Sequence, residues 1–149
     1  MILAHHAGYV VDASVIVKWF LQNQEADRDR ALALRDLHIS RRSTIFVPNF
    51  VLLEVLNAVR FSPKAMEEDG ELALEALQDL HLETKPSEFD LLRKANAIAW
   101  AYKITICDAL YVALAEQVGY PLITADEVMV KKLKGHSIVV PLRELDFKG

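Results

Sequence analysis

The stretch that decides the fold is the opening strand-to-helix unit, which reads Tyr9-Val10-Val11-Asp12-Ala13-Ser14. Three apolar, β-favouring residues in a row predict a short buried strand that ends at Asp12. A helix is predicted over residues 14–21, with Ser14 or Ala13 near its start. A strand that passes directly into a helix is the repeating unit of α/β proteins, so the rest of the chain decides whether the unit recurs.

The alternation of strands and helices continues to the end of the chain. Hydrophobic periodicity predicts helices over residues 25–39, 50–60, 67–80, 87–102, 109–115 and 127–134, and strands over residues 44–47, 122–124 and 138–140. The polar residues 83–88 are predicted to form a loop. We find no repeat, low-complexity segment or linker, and we expect a single α/β domain over residues 1–149 with a mainly parallel sheet.

Charge and hydropathy exclude some classes of protein. The formal net charge is −4, which argues against a uniformly basic nucleic-acid-binding domain unless several acids cluster in one pocket that a metal neutralises. No apolar stretch approaches the roughly 18 residues that a membrane span needs. No basic segment leads into an apolar one, so we expect no signal peptide, no membrane association and a cytoplasmic location.

Cysteine and histidine usage narrows the chemistry further. The single cysteine, Cys107, excludes an intrachain disulfide, and we expect it to pack as a small buried residue. None of the five histidines has the spacing of a zinc site. Metal chemistry, if present, is therefore expected to use carboxylates.

Four acidic residues occupy positions from which they could meet. In parallel sheets, ligands bind beyond the carboxyl ends of the strands. Asp12 directly follows the first strand, and Asp126 follows the strand at 122–124. Asp108 lies at the start of a helix that is apolar nearly all round, and Glu54 interrupts another apolar helix. The pattern allows the four side chains to converge, although spacing alone does not prove it.

Each acid also has a purely structural explanation. Asp12 and Asp126 could be helix N-caps, and Asp108 follows Thr105 at the spacing of a capping box. Glu54 could belong to a solvated stripe. Taken together, however, clustered carboxylates repel one another and are costly unless a cation binds them. Carboxylates and water are the ligands that Mg²⁺ and Mn²⁺ prefer, and such an ion can activate a water against a phosphodiester.

The residues match a family pattern at this point. The sequence resembles the PIN-domain nucleases, and most closely the VapC-type ribonuclease toxins of prokaryotic toxin–antitoxin pairs. The segments that carry the resemblance are Val10-Val11-Asp12-Ala13-Ser14-Val15-Ile16-Val17-Lys18-Trp19-Phe20, the residues 48–60 around Glu54, Cys107-Asp108-Ala109-Leu110-Tyr111-Val112-Ala113-Leu114-Ala115-Glu116, and Leu122-Ile123-Thr124-Ala125-Asp126. The first and third of these segments are the specific ones.

The resemblance implies a three-layer α/β/α PIN-like domain with a short, mainly parallel sheet. It assigns catalysis and the binding of Mg²⁺ or Mn²⁺ to an acidic quartet, which consists of Asp12, Glu54, Asp108 and Asp126. Asp12 and Asp108 would contact the metal directly, and Asp126 would complete the ligand set or orient a water. Glu54 would act through water or position the nucleophile. Ser14 and Thr124 match positions where the family often has a hydroxyl beside the acids, although a helix cap and a β-favouring residue explain them as well.

The expected reaction is endonucleolytic hydrolysis of RNA that leaves a 5′-phosphate and a 3′-hydroxyl. The resemblance also implies a homodimer and a small VapB-type antitoxin whose basic or extended segment covers the acids. Several basic side chains could hold the RNA, and the sequence does not choose among them. The candidates are Lys18, Arg41, Arg42, Arg60, Lys131, Lys132 and Lys134.

Three other functions remain open. A PIN nuclease of RNA processing would share the site but lack an antitoxin. A non-catalytic module could use the acids to recruit a basic partner. A signalling receiver domain is also α/β with an acidic metal pocket, but it requires paired acids after its first strand, where this chain has Asp12 followed by Ala13.

Overall fold

A five-stranded sheet lies at the centre of the protein in the computed structural model, which describes residues 2–3, 6–23 and 26–147. The strands are β1 (Ile2–Leu3), β2 (Gly8–Val11), β3 (Thr44–Pro48), β4 (Glu83–Lys85), β5 (Leu122–Thr124), β6 (Val139–Pro141) and β7 (Leu145–Asp146). The α-helices are α1 (Ala13–Ile16), α2 (Arg28–Ile39), α3 (Val51–Arg60), α4 (Glu67–Leu80), α5 (Phe89–Tyr102), α6 (Ile106–Val118) and α7 (Glu127–Lys132). Two single 3-10 turns occupy Val17–Trp19 and Leu142–Glu144.

The central sheet has the strand order β4-β3-β2-β5-β6, and each neighbouring pair is parallel. Tyr9 of β2 lies opposite Ile45 of β3, and Val10 lies opposite Leu122 of β5. The chain thus builds the sheet outward from β2 in one direction, and then returns to add β5 and β6 on the other side. β1 and β7 form a separate parallel pair.

This order makes the fold doubly wound. Crossovers between parallel strands are right-handed, so the helices that precede β3 and β4 lie on one face and those that precede β5 and β6 lie on the other. β2 and β5 are buried along their whole length, as expected for strands covered on both faces. The predicted three-layer α/β/α class with a parallel sheet is confirmed.

A second, smaller cluster of buried residues joins α5 to α6. Small side chains, Ala95 and Ala99 of α5 with Ala109 and Ala113 of α6, let the two helices approach closely. Phe50, just before α3, packs against this cluster and also against the main core. The α5–α6 pair is thereby fixed beside the start of α3, and this contact matters for the site described below.

One predicted element was wrong in type. Residues 83–88 were expected to be a loop, but Glu83–Lys85 forms β4 and pairs with β3, with Phe46 opposite Glu83. β4 is a largely exposed edge strand, so its sequence lacks the apolar run that marks the buried strands.

Several helix boundaries also differ from the prediction by a few residues, and two of them have a clear cause in the backbone. The helix expected over residues 14–21 is α-helical only to Ile16 and continues as the 3-10 turn Val17–Trp19. The helix expected from residue 25 begins at Arg28, because Asp27 has a left-handed backbone (φ 56°) that cannot continue into a helix. Residue 25 itself lies outside the described residues. The predicted stop of α6 at Gly119, which has φ 76°, is confirmed.

Among the described residues no single helix is both long and apolar enough to cross a membrane, whereas α5 and α6 taken together, with a bend of 116° between them, reach that length and composition.

We expect Gly8→Ala to destabilise the protein by about 1–3 kcal/mol, because the added methyl group overpacks the core. A Cβ at Gly8 would lie 2.6 Å from Cδ2 of Tyr120 and 3.0 Å from Cε2 of Phe46, whose rings are stacked at 5.7 Å. Urea unfolding monitored by circular dichroism measures the change.

The matched control is Gly70→Ala in the first half of α4, where the nearest atom to a new Cβ is Cδ2 of Leu56 at 3.7 Å. Since alanine is the better helix former, this variant is expected to be more stable than the wild type by about 0.5–1 kcal/mol. Equal effects of the two substitutions would show that the contact with Tyr120 is not a packing constraint.

Candidate active site

The candidate site lies where the order of strands in the sheet reverses. The chain leaves β2 towards β3 on one side, whereas β5, the other neighbour of β2, leads to β6 on the opposite side. The connections therefore diverge at the carboxyl ends of β2 and β5 and leave a crevice, which is the usual ligand site of doubly wound sheets. Asp12 directly follows β2, and Asp126 follows β5 by two residues.

Asp12 is the innermost acid, with only 5% of its surface exposed. Its Oδ1 caps α1 by accepting the backbone N–H of Ser14 at 3.0 Å, and it also accepts the Ser14 hydroxyl. Its Oδ2 accepts the hydroxyl of Thr124 at 2.5 Å. Both carboxylate oxygens are thus held by side chains from the two central strand ends, which fixes the orientation of the group.

Burial raises the pKa of Asp12 to about 7, because the charged form is poorly solvated in the interior. The hydrogen bonds from Ser14 and Thr124 oppose this effect, and the nearby negative charge of Asp108 adds to it. Half of the Asp12 side chains would therefore be protonated near neutral pH in the absence of a cation. A positively charged ligand would stabilise the ionised form of Asp12.

Thr124 and Ser14 connect Asp12 to the loop that carries Asp126. The backbone N–H of Asp126 donates to the Thr124 hydroxyl at 3.0 Å, and the N–H of Ala125 donates to the Ser14 hydroxyl at 2.9 Å. Asp126 then caps α7, because its Oδ1 accepts the N–H groups of Val128 and Met129 at 3.0 and 3.1 Å. The two hydroxyl residues predicted beside the acids therefore lie there.

Glu54 reaches the site from α3 and is held by a residue of α6. The hydroxyl of Tyr111 donates to Glu54 Oε1 at 2.6 Å, and the Tyr111 ring packs edge-on against Phe50. Burial raises the pKa of Glu54, as does the charge of Asp108, while the bond from Tyr111 lowers it. Burial together with the adjacent Glu54 raises the pKa of Tyr111, so the phenol remains a donor.

Tyr111 is the site residue that sequence reasoning missed. It lies within the motif of residues 107–116, but no role was predicted for it. The available signal was a phenol in a helix of otherwise apolar residues, because a buried tyrosine hydroxyl needs a hydrogen-bond partner. Only the structure identifies that partner as Glu54.

Asp108 occupies the first turn of α6. Thr105 caps this helix by accepting the N–H of Asp108 at 3.1 Å, so the predicted capping role of Thr105 is real. The pKa of Asp108 is raised, first by burial and then by the charge of Asp126, and is lowered by Thr105 and by Lys132. Asp108 interacts electrostatically with each other member of the acidic quartet.

The other three predicted acids therefore each lie within electrostatic range of Asp108, beyond the carboxyl ends of β2 and β5. The prediction for Cys107, which precedes Asp108, was wrong. Cys107 was expected to be buried, but it is exposed because it precedes Asp108 on the open side of the first turn of α6. Lys18, one of the predicted RNA contacts, is largely buried, with 6% of its surface exposed. Among the described residues, every fully buried side-chain nitrogen has a hydrogen-bond partner. The ammonium group of Lys18 makes no such bond to a described residue and therefore reaches solvent at the end of its buried stem.

The donor chemistry of the site fits a hard divalent cation. Its side chains offer carboxylate and hydroxyl oxygens, and three of the carboxyls have raised pKa values that a bound cation would lower. Within the described residues, no three His, Cys, Asp or Glu side chains converge tightly enough to form a complete metal cluster. Mg²⁺ commonly uses one or two carboxylates and several waters, so such a cluster is not required.

Fold and site together define a doubly wound α/β protein with an acidic pocket at its switch point. Comparison with known families is more specific, because the sequence pattern of the PIN domain matches residues 9–134. The chain belongs to the PIN-domain family. The predicted family resemblance is confirmed.

Individual relatives carry more specific names. The chain is 28% identical over 126 residues to "Ribonuclease VapC3" of Pyrobaculum aerophilum, an alignment that covers 83% of this chain and 92% of the relative. It is similar in fold to a toxin-antitoxin complex from Klebsiella pneumoniae, with a TM-score of 0.67, 18% identity and coverage of 90% of this chain and 97% of that one. It is also similar to VapBC2 from Rickettsia felis bound to a DNA fragment from its promoter, with a TM-score of 0.64, 18% identity and coverage of 90% and 98%.

We expect Asp12→Asn to make the protein more stable at pH 8 in the presence of EDTA, by on the order of 1–4 kcal/mol. The pKa of Asp12 is about 7 in the folded protein and about 4 in an unfolded chain, so the folded state binds the proton more tightly. Ionisation of Asp12 therefore costs stability as the pH rises from about 4 to 7. Asparagine does not ionise, and the variant avoids this loss.

Urea unfolding at pH 5, 6, 7 and 8 measures the difference between the two proteins. The stability gap should be small at pH 5, widen up to pH 7 and stay level above it. A gap that does not change with pH would contradict the raised pKa, and a second set of measurements with Mg²⁺ should reduce the gap if the cation stabilises the ionised Asp12.

Proposed function

We propose that this PIN-domain protein is a Mg²⁺- or Mn²⁺-dependent endoribonuclease, the toxin of a VapBC-type toxin–antitoxin pair. The observation that carries the proposal is the buried Asp12 carboxylate, which is held by Ser14 and Thr124 and lies near the negative charge of Asp108, the acid that also interacts with Glu54 and Asp126. A protein that needed only a stable fold would not place a costly buried acid next to further negative charges. The arrangement is suited to binding a cation and to acting on a phosphodiester.

The surroundings of each acid support a different role in the proposed reaction. Asp12 and Asp108 would hold the cation, with Asp126 completing the ligand set or orienting a water. A bound Mg²⁺ or Mn²⁺ would supply Lewis-acid stabilisation of charge on the scissile phosphate and activation of a water. Ser14 and Thr124 fix the angle at which Asp12 presents its oxygens, and Tyr111 does the same for Glu54.

Glu54 is suited to accept the proton of the attacking water. Its raised pKa makes it a better proton acceptor than an ordinary glutamate. In the described part of the chain its carboxylate is bonded through Oε1 to Tyr111, so Oε2 remains available to a water. The water oxygen would bond to phosphorus while the bond to the 3′-oxygen breaks, and the leaving 3′-oxygen would take a proton from solvent water, so that the products are a 5′-phosphate and a 3′-hydroxyl.

The names of similar proteins support the toxin assignment. One relative is called a ribonuclease, and two proteins of similar fold were solved with antitoxins. A small VapB-type antitoxin is the proposed partner, with a basic or extended segment that would neutralise the acidic pocket. The homodimer that the resemblance implies and the cytoplasmic location expected from the hydropathy pattern stay predictions.

We expect the purified protein to cut a pool of structured RNAs in the presence of Mg²⁺ or Mn²⁺ and not in EDTA. Asp12→Asn and Asp108→Asn should each reduce cleavage by about 100-fold or more, since each removes a charge that faces the cation. Ligation of an adapter that requires a 5′-phosphate identifies the product ends.

The matched control is Asp79→Asn, which changes an exposed acid near the end of α4 in the same way. Its activity should stay within about two-fold of the wild type. If a folded wild-type sample cuts no RNA with either metal, or if the two site variants cut as well as the control, the acids are not a nuclease site. Metal-independent binding of a basic partner would then favour the non-catalytic module.

A second expectation separates the toxin from a PIN nuclease of RNA processing. Expression of the wild-type chain in a bacterial host should arrest growth, and Asp108→Asn should relieve the arrest because the active site is lost. Co-expression of the short reading frame beside the gene should restore growth, and its product should co-purify with the chain and inhibit cleavage. Absence of both arrest and a co-purifying neighbour would support RNA processing instead.

A further inference from the structure

The acidic pocket has to accept a polyanion, so the position of nearby cations matters. Asp108 interacts with the charges of Asp12, Glu54 and Asp126, and an RNA phosphate would add to that repulsion. The sequence offers seven basic candidates for contact with the RNA and no way to rank them. Among the residues that the structure describes, Lys132 is the cation whose charge lowers the pKa of an acid of the quartet.

Lys132 reaches the pocket through a specific contact. It is the last residue of α7, the helix that Asp126 caps at its other end. Its Nζ donates to the backbone carbonyl of Lys103 at 3.3 Å. Lys103 ends α5 in a left-handed conformation with φ 57°, and Thr105 begins the turn that leads to Asp108. The ammonium group therefore sits at the α5–α6 corner, on the side of the pocket that carries Asp108.

Two N–H donors of the Lys132 ammonium group are available to a ligand. A lysine ammonium has three N–H donors, and the contact with Lys103 uses one of them. Lys132 is exposed, so the remaining donors face solvent. A single long contact to a carbonyl is easily kept or exchanged when a stronger acceptor, such as a phosphate oxygen, arrives.

The neighbouring lysines lack this arrangement. Lys131 belongs to the same helix and is equally exposed, but it points about 100° away around the helix axis. Lys134 follows the helix and is separated from Lys132 by the buried Leu133. A general preference for basic residues in the last turn of a helix explains Lys131 and Lys132 equally, but it does not explain the reach of Lys132 to the corner beside Asp108.

We propose that Lys132 is a phosphate-binding residue at the rim of the acidic pocket, where it holds the RNA strand beside Asp108 through the two ammonium protons that Lys103 leaves free. This inference rests on the proposed ribonuclease function and specifies how its substrate is positioned. Because Lys132 contacts the backbone of the RNA and not a base, its contribution is the same for different sequences.

Binding of RNA, measured without turnover, tests the proposal. Two fluorescein-labelled single-stranded oligonucleotides of different sequence are titrated with the Asp12→Asn protein in Mg²⁺ at several salt concentrations. Adding Lys132→Met should weaken binding about five- to ten-fold at low salt for both oligonucleotides. It should also reduce the slope of log Kd against log salt by about 0.7, the value for one phosphate contact on a single strand.

Three matched variants make the outcome decisive. Lys131→Met removes the same charge from the same helix and should change Kd by less than about two-fold. Lys132→Arg should keep most of the affinity and of the salt slope. If Lys132 served only to join α7 to the α5–α6 corner, Lys132→Met would lose thermal stability without a change in the salt slope. Equal salt slopes for Lys131→Met and Lys132→Met overturn the proposal.

The same titrations separate this inference from the proposed function. If the protein binds RNA but the wild type cleaves none, the nuclease assignment fails while the salt slopes still decide the role of Lys132. If neither oligonucleotide binds, both the substrate class and the role of Lys132 are wrong. If cleavage and binding are both present, the difference in salt slope between Lys131→Met and Lys132→Met alone decides whether Lys132 binds phosphate.

Discussion

The hydrogen-bonded burial of Asp12 is the constraint on which the site depends. Its two carboxylate oxygens join the end of β2 to the end of β5 through Ser14 and Thr124, at the point where the connections of the sheet diverge. An ionised carboxylate in the interior is costly without such partners, and the pKa of about 7 shows that the partners offset only part of the cost. Binding of the proposed cation would offset the remainder, and the stability of the fold would then depend on that ligand.

Structural and functional explanations of the acids turn out to be compatible. Asp12 caps α1, Asp126 caps α7, and Asp108 lies in the first turn of α6 behind the cap of Thr105. An N-cap residue has a fixed backbone and a side chain held by N–H groups, so its position is better defined than that of an ordinary surface acid. Capping is therefore the means by which the fold positions Asp12 and Asp126, whereas Asp108 is placed by the first turn of α6 and Glu54 by its bond from Tyr111.

The sequence determined the centre of the fold more completely than its edges. The buried strands β2, β3 and β5 and the long helices carry strong hydrophobic patterns, and they were predicted to within a few residues. β4 was missed because an exposed edge strand of Glu, Thr and Lys has no apolar pattern, and its pairing with β3 depends on contacts far apart in the chain. The parallel pair of β1 and β7 was also missed, because each strand has only two residues and the pairing joins opposite ends of the chain.

Site prediction shows a similar division. The acids could be named because each follows a strand or opens a helix, and the resemblance to PIN domains grouped them before any distance was known. Contacts between side chains from distant segments were not predictable: Tyr111 lies 57 residues from Glu54, and Lys132 lies 29 residues from the carbonyl that it contacts. Single-sequence patterns report local periodicity and carry no information on such pairs.

The burial of the acids suggests an order of events at the pocket. Asp12 is almost fully enclosed and has both oxygens bonded, so it is suited to a fixed role in holding a cation. Glu54 and Asp108 are only partly buried, so they form the more open side of the site, which would admit water and phosphate in the proposed reaction. Lys132 lies on that same open side and offsets part of the charge of Asp108. In the proposed function, a negatively charged strand would meet the ammonium group of Lys132 at the rim before it reaches the carboxylates, and this order would give an acidic protein a physical route to binding RNA.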